Sequence, residues 1–440
     1  MIAPPMVPSI DSAFSALGND PFTEENIARH IAPLFSRVLS ADRSNNGKPD
    51  RIYLENHSLG RAPDQTIADV SEAVALWYSQ LGDAWDTWLA EREAFRARLA
   101  TIFNAPRPDC VIPRTSAGAG LRAILNALAA TPQTIPHVVS TRGEFDSVDI
   151  TLKQYASKGR ITVDWIEPSR PEPASIESAG SAIHSSAGSA IHNVDRIIAA
   201  IRPGTTLVVV SHIFFSTGQI LTDIPRLAQA CHAAGALLLV DAYHSIGVIP
   251  VDVVDLDCDF LIGGSYKYLR GGPGAAFFYI APRIFDAGIS PLDTGWFANA
   301  STFGFERPDP PQLAPGGDAF HLGTPPVLTG YQARAGQQFV RAASVERLRA
   351  YSLQQKSLFA KLLAAEGVTA QAAGETHGAF LIVTDPRVPR AEDVVRRLSA
   401  QYNVHADARG PILRLCPDCL NREEELVRAA SAIGAIYRSF

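Results

Sequence analysis

Gly263-Gly264-Ser265-Tyr266-Lys267-Tyr268-Leu269-Arg270-Gly271-Gly272-Pro273-Gly274 places a lysine just after the apolar run Phe260-Leu261-Ile262 and just before a glycine-rich turn. Burial disfavours the charged form of a lysine, so one at the end of an interior strand is costly unless its amine is used. One use is attack on a carbonyl, for which a depressed pKa supplies the neutral nucleophile. Taken alone, Lys267 reads as an ordinary solvated strand end. Leu237-Leu238-Leu239-Val240-Asp241-Ala242-Tyr243-His244 changes that reading, because it is a second apolar strand and it ends in a carboxylate.

Successive interior strands ending in an aspartate and a lysine form the frame of a pyridoxal phosphate site. The lysine binds the cofactor's aldehyde, and the aspartate keeps the ring nitrogen protonated so that the ring withdraws electrons. Lys267 and Asp241 are therefore the first two candidate catalytic residues.

The 440 residues are 46% hydrophobic and 19% charged, the composition of a globular chain with two or three domains. A formal net charge of −6 and the lack of a basic run argue against nucleic acid and anionic membrane as partners. No apolar run reaches the roughly 18 residues of a membrane span. Residues 1–10 lack a basic start followed by an apolar core, so no secretory signal is expected. Cys110, Cys231, Cys258, Cys416 and Cys419 are odd in number, which points to a reducing cytoplasm rather than a disulfide framework. Cys416-Pro417-Asp418-Cys419 has the C-x-x-C form without further ligands or a thioredoxin-like context, and reads as coincidence.

Along the chain, residues 1–55 read as an arm with a helix over 24–39, expected to contribute to a small domain. Helices are expected over 64–78 and 85–103. Arg114-Thr115-Ser116-Ala117-Gly118-Ala119-Gly120 runs into a helix; small residues and hydroxyls at a helix start leave free N–H groups for a phosphate. From 137 to 241, Val/Leu/Ile-rich strands alternate with amphipathic helices, predicting a mostly parallel sheet buried on both faces. Ligands of such sheets sit at the carboxyl ends of the strands, where Ser211, Asp241 and Lys267 fall. The insert 171–192 holds a near-tandem repeat, Ser178-Ala179-Gly180-Ser181-Ala182-Ile183-His184 and Ser186-Ala187-Gly188-Ser189-Ala190-Ile191-His192. Its composition cannot fill a core, and it reads as a surface loop whose two histidines hold no metal. A broken helical region over 327–366 and a strand-helix-strand-helix tail complete the pattern. The expected organisation is α/β, with a large domain over 56–300 carrying the sheet and a smaller α+β domain over 301–440.

Ser265-Tyr266-Lys267-Tyr268-Leu269 followed by Gly271-Gly272-Pro273-Gly274 resembles the cofactor-lysine segment of kynureninases, class V pyridoxal phosphate enzymes of fold type I. Tyr53-Leu54-Glu55-Asn56-His57-Ser58-Leu59-Gly60, Asp241-Ala242-Tyr243-His244-Ser245-Ile246-Gly247, Gly295-Trp296-Phe297, Gly323-Thr324-Pro325-Pro326 and Asp407-Ala408-Arg409-Gly410-Pro411 with Leu413-Arg414 resemble further segments of that family, in family order. The resemblance implies a fold-type-I transferase fold with pyridoxal 5'-phosphate bound through Lys267. Asp241 would pair with the ring nitrogen, with His244 fixing that carboxylate. Tyr266 would bind the phosphate and donate a proton. Ser116, Ala117 and Gly118 would meet the phosphate, Phe145 would stack on the ring, and Ser211 would lie at its edge. Trp296 and Thr324 would reach the phosphate from a partner subunit, which implies a homodimer with shared active sites. Arg414 would hold the substrate carboxylate, a bidentate task suited to a guanidinium.

The sequence departs from the family at four places, one of them the amino-terminal turn, where Asn56-His57 stands for the family's glycine-asparagine. Val148 stands where the family has a second cofactor-side aspartate, so that role is assigned to Asp149, with Asp146 the alternative. Gly120 replaces an asparagine, and the segment 83–93, where kynureninases shape the aryl pocket, differs. The resemblance implies a hydrolase of tryptophan catabolism that cleaves the Cβ–Cγ bond of a 3-acyl-alanine such as kynurenine, giving alanine and an aromatic acid. Alternatives are another class V reaction on an amino acid (epimerisation, β-elimination or desulfuration) or a non-catalytic relative. Trp85, Trp88 and Trp296 point to an aromatic substrate pocket, the alternative being that Trp85 and Trp88 are core residues of their helix.

Overall fold

The computed structural model describes residues 8–43, 49–128, 135–169 and 191–440. The expected surface loop over 171–192 lies outside these, apart from Ile191 and His192. Its last histidine is buried and stacks on Phe214 with ring centroids 4.0 Å apart.

The strands are β1 (Ile52–Tyr53), β2 (Val111–Arg114), β3 (His137–Thr141), β4 (Thr162–Ile166), β5 (Thr205–Ser211), β6 (Leu237–Asp241), β7 (Phe260–Gly264), β8 (Ala276–Ile280), β9 (Ala370–Gln371), β10 (Leu381–Thr384), β11 (Val404–His405), β12 (Asp407–Arg409) and β13 (Ile412–Leu415). Seven of them form one sheet in the order β2-β8-β7-β6-β5-β3-β4. Within it, β8 pairs antiparallel with both neighbours and the remaining pairs are parallel. The antiparallel return explains the glycines after Lys267. The chain reverses between β7 and β8, and Gly272 and Gly274 take φ of 68° and 90°, conformations that side chains resist. Helices Ala117–Leu128, Asp146–Ser157, Val194–Ala200 and Ile224–Ala233 complete the α/β pattern. Strands β7 and β8 are buried along their whole length, as a sheet covered on both faces requires.

A second, antiparallel sheet, β12-β13-β10-β9, forms a core of its own with helices Val345–Ala365, Ala391–Tyr402 and Glu423–Tyr437. Strand β1 pairs with β11, so the arm does enter this smaller unit. The rest of the arm does not. Phe14 and Phe35 pack edge-on against Phe339, at 5.6 and 5.1 Å, within the core of the large sheet. Helix Val327–Ala343 belongs to that core too, and the long helical region breaks at Ser344, whose φ is 59°. The apolar stripe of helix Val327–Ala343 faces helices Gln65–Gln80 and Ala84–Ile102. The single helix expected over 24–39 is instead a run of short turns ending in helix Ser36–Asp42. Pro33, which lacks an N–H, sits in its 3₁₀ turn, Ala32–Phe35.

Candidate active site

Strands β5, β6 and β7 end side by side, with Ser211 opposite Asp241 and Asp241 opposite Ile262. Parallel pairing forces this, since the residue that ends each strand then points to the same edge. The turn after β1 closes over that edge. Gly60 N–H donates to Tyr266 carbonyl oxygen at 2.9 Å, and a Cβ at Gly60 would lie 2.0 Å from the Lys267 carbonyl oxygen. Gly264 is needed for a similar reason, because a Cβ there would meet the Tyr243 hydroxyl at 2.0 Å. Beneath the turn lies a cavity of about 380 Å³ lined by Ser58, Thr115, Ser116, Ala117, Phe145, Ser147, Ser211, Phe215, Asp241, Tyr243, His244, Tyr266 and Lys267, among others.

Lys267 is 5% exposed, and its Nζ lies 2.7 Å from His244 Nε2. Aromatic faces surround the amine, with Tyr243, Phe145 and Tyr266 ring centroids 5.2, 5.4 and 5.7 Å away. Burial lowers its pKa to about 7, against the pull of Asp241, so a neutral amine is available near neutrality. Burial also raises the Asp241 carboxyl and drives the His244 imidazole well below its ordinary value. Asp241 Oδ1 accepts from Tyr243 N–H at 2.9 Å, and no donor among the described residues reaches its other oxygen. That carboxylate oxygen suits a protonated ring nitrogen. At the opposite wall Ser116 caps helix Ala117–Leu128 by accepting from Ala119 N–H at 3.2 Å, and its first N–H groups suit a phosphate. The residues present therefore fit a phosphorylated pyridine aldehyde.

Arg414 approaches from the smaller unit. It donates to the Phe215 carbonyl at 2.6 Å and to Asp407 Oδ2, and His57 Nε2 lies 3.1 Å from that same oxygen. Burial would raise the Asp407 carboxyl, yet His57 and Arg414 outweigh it and hold it below the usual carboxylate range. Burial pushes His57 down to about 4, so it meets Asp407 as a neutral ring. Phe380 packs under this group, 5.1 Å from the His57 ring and 5.7 Å from the Arg414 guanidinium.

Of the residues expected from sequence, the cavity brings together Ser116, Ala117, Phe145, Ser211, Asp241, His244, Tyr266 and Lys267. Gly118 lies one helix residue behind its wall, where a Cβ would meet Arg122 at 3.3 Å. His244 contacts Lys267 rather than Asp241. Asp149 does not line the cavity. It pairs with Lys153 one helical turn on, at 2.6 Å, because a residue there faces along the outer side of helix Asp146–Ser157. Asp146 opens the same helix and does not line the cavity either. Thr324 lines a second cavity of about 330 Å³ with Trp88, Arg92, Phe95 and His321, which shares only Thr115 with the first. Trp296 is 43% exposed, against Phe297 and Phe303. Within one chain, then, neither residue reaches Lys267. Sequence reasoning missed His57, Tyr243, Asp407 and Glu144. The last is a buried carboxylate one position before Phe145, whereas the family's aspartate follows the stacking aromatic.

Three comparisons bear on this arrangement. The family model described as aminotransferase class-V matches residues 52–412. The kynureninase of Pseudomonas fluorescens is 29% identical over 324 residues, 71% of this chain and 70% of that protein. The uncharacterized aminotransferase YcbU of Bacillus subtilis is 28% identical over 388 residues, 87% of this chain and 95% of that protein. Among solved structures, a cysteine desulfurase from Thermococcus onnurineus superposes with a TM-score of 0.72 at 18% identity, covering 89% of this chain and 95% of that one. A C-DES variant with glycine covalently linked to its PLP cofactor gives 0.73 at 18% identity, covering 88% and 96%. These neighbours show a fold-type-I architecture, and the family match spans both units, from β1 to the start of β13. The chain belongs to the aminotransferase class-V family.

Proposed function

We propose that this chain is a pyridoxal phosphate enzyme acting on an α-amino acid, and specifically a kynureninase-type hydrolase. The observation that carries the first part is Lys267, a buried amine in one cavity with Asp241, Phe145 and a helix start. When bound, the cofactor supplies an electron sink for negative charge developing at the substrate's Cα. Lys267 Nζ, near neutral at physiological pH, takes the Cα proton and returns it. Burial raises the Tyr266 phenol, which therefore keeps its proton and can give it to a leaving carbon. Arg414 holds the α-carboxylate by exchanging its internal partner, Asp407, for the substrate. Water adds at the γ-carbonyl, and cleavage of Cβ–Cγ yields alanine and an aromatic acid.

The hydrolase reading is supported by the likeness to kynureninases and by the aromatic wall that Trp88 and Phe95 give the second cavity. A homodimer is part of this proposal, since Trp296, Leu292, Phe303 and Phe305 are exposed on the segment assigned to a partner's site. The test is direct: purified protein with pyridoxal phosphate is given kynurenine or 3-hydroxykynurenine, and alanine is measured. A second reading, another class V reaction, is favoured by YcbU, which matches 87% of the chain against 71% for the kynureninase of Pseudomonas fluorescens. Desulfuration through a cysteine nucleophile is disfavoured, because all five cysteines are buried and burial pushes their thiols up.

A further inference from the structure

Lys356 has no part in the chemistry above, yet its side chain is fully buried. It projects from helix Val345–Ala365 of the smaller unit, and its Nζ donates to the carbonyls of Ala372, Gly374, His377 and Gly378 at 2.9, 3.4, 3.4 and 2.6 Å. An ammonium has three hydrogens, so these oxygens share them and form a cage around the charge. Carbonyl oxygens replace the hydration shell of a potassium ion in the same way. Arg349, on the same helix, holds the outer side of the segment through the carbonyls of Glu375, His377 and Gly378. The caged segment lies between β9 and β10 and against the turn after β5. Gly378 N–H donates to the Gly218 carbonyl at 2.7 Å, and Ile220 N–H to the Thr376 carbonyl at 2.9 Å. That turn carries Phe215, which lines the Lys267 cavity and whose carbonyl accepts from Arg414. Phe380, just past the cage, lies under Arg414 and against Gly218, where a Cβ would come within 3.2 Å of its ring.

Backbone hydrogen bonds therefore connect the Lys356 ammonium to the turn on which Arg414 rests. We propose that Lys356 is a positioning residue for the substrate carboxylate, a tethered monovalent cation whose carbonyl cage sets the place of Phe215 and hence of Arg414. This rests on the reading of Arg414 as the group that holds the α-carboxylate. Removing the amine leaves buried oxygens with no hydrogen to meet, which is costly. A free primary ammonium ion of the right length fills such a cage. Beyond Cβ, the fragment that Lys356→Ala lacks is three carbons and a nitrogen, so propylammonium is the matching ion. Burial and the neighbouring Arg349 lower the pKa of the Lys356 amine to about 7. Measurements are therefore buffered about one pH unit below that value, where the wild-type cage holds the charged form.

The experiment measures the Kd of several α-amino acids by spectral titration of the holoenzyme, in wild type, Lys356→Ala and Lys356→Met. Each is measured alone and with propylammonium chloride, 1-propanol or tetramethylammonium chloride. Both variants are expected to bind every α-amino acid more weakly, by on the order of tenfold, the size of one lost charge-assisted contact. The Kd of pyridoxal phosphate changes little. Propylammonium restores amino-acid binding in Lys356→Ala. Propanol, with the length but no charge, does not, and nor does tetramethylammonium, a cation with no N–H. Lys356→Met is restored by none of them, because its own stem fills the space. Equal restoration by propanol, or none by propylammonium, overturns the proposal. So does wild-type amino-acid binding in Lys356→Met, even if Lys356→Ala does not fold. If wild type shows no band with pyridoxal phosphate, the cofactor reading fails and the positioning role falls with it. The cage is then judged separately by the melting temperature of Lys356→Ala apoprotein, which propylammonium must raise and propanol must not.

Discussion

The Arg270 guanidinium donates to both oxygens of the Asp418 carboxylate, each at 2.7 Å, and both side chains are buried. Arg270 belongs to the loop that carries Lys267, and Asp418 follows closely on Arg414. The same guanidinium lies between the rings of Phe35 and Phe339, at 5.2 and 5.1 Å. One cation thus joins the arm, the lysine loop and the smaller unit, and fixes the amine in relation to the carboxylate-binding arginine.

Breaking that pair leaves an uncompensated buried charge. Asp418→Ala is expected to lower stability by about 3–5 kcal/mol in urea unfolding of the apoprotein. Burial raises the Asp418 carboxyl, but Arg270 outweighs it and holds it below its ordinary value. The folded pKa lies under the unfolded one, so this stability is present above the ordinary carboxylate range and is lost as pH falls below it. A loss under about 1 kcal/mol at neutral pH, the size of an exposed pair, contradicts the account.

Cofactor uptake should follow the protonation of Lys267. Burial depresses its pKa to about 7, so the neutral amine is scarce below that value and dominant above it. Stopped-flow binding of pyridoxal phosphate to apoprotein should accelerate about tenfold per pH unit below 7 and level off above it. Borohydride reduction of the holoenzyme should attach the cofactor to Lys267. Recovery of a different modified lysine disproves the site.

Arg414 and Asp407 carry opposite expectations. Arg414→Ala removes the partner of every α-carboxylate and should weaken binding of all amino acids alike, by about 2–5 kcal/mol. Asp407→Asn removes the internal competitor and should tighten binding. Spectral titration with several amino acids measures both, and weaker binding in Asp407→Asn shows that the aspartate orients Arg414 rather than competing for it.

Trp88 tests the substrate. Its indole N–H donates to the Ala73 carbonyl at 3.3 Å, and Trp85 stands edge-on at 5.3 Å, so the ring is held as a wall of the second cavity. Trp88→Ala should lower kcat/KM for kynurenine at least tenfold while changing little for small amino acids, in keeping with about 1.4 kcal/mol per tenfold and a typical aromatic contact. Equal losses for both classes assign Trp88 to the helix core alone.

Much of this molecule was legible in the residues. The alternation of apolar strands and amphipathic helices, and the carboxylate and lysine that end two of those strands, depend on local periodicity, which a chain displays in its own order. Parallel pairing then sends strand ends to one edge, so the cavity around Asp241, Ser211 and Lys267 followed from the pattern. What only tertiary structure decided were the relations between segments far apart in sequence. Helix Val327–Ala343 and the arm joined the large core because their apolar stripes match helices there, which no local signal encodes. Asp149 turned to Lys153 and Glu144 took the place behind Ser211, because a one-residue change of position rotates a side chain to another face. Arg414 met Asp407 and His57 because β1, β11, β12 and β13 converge, and a burial cost shared among three side chains exists only once all three are packed.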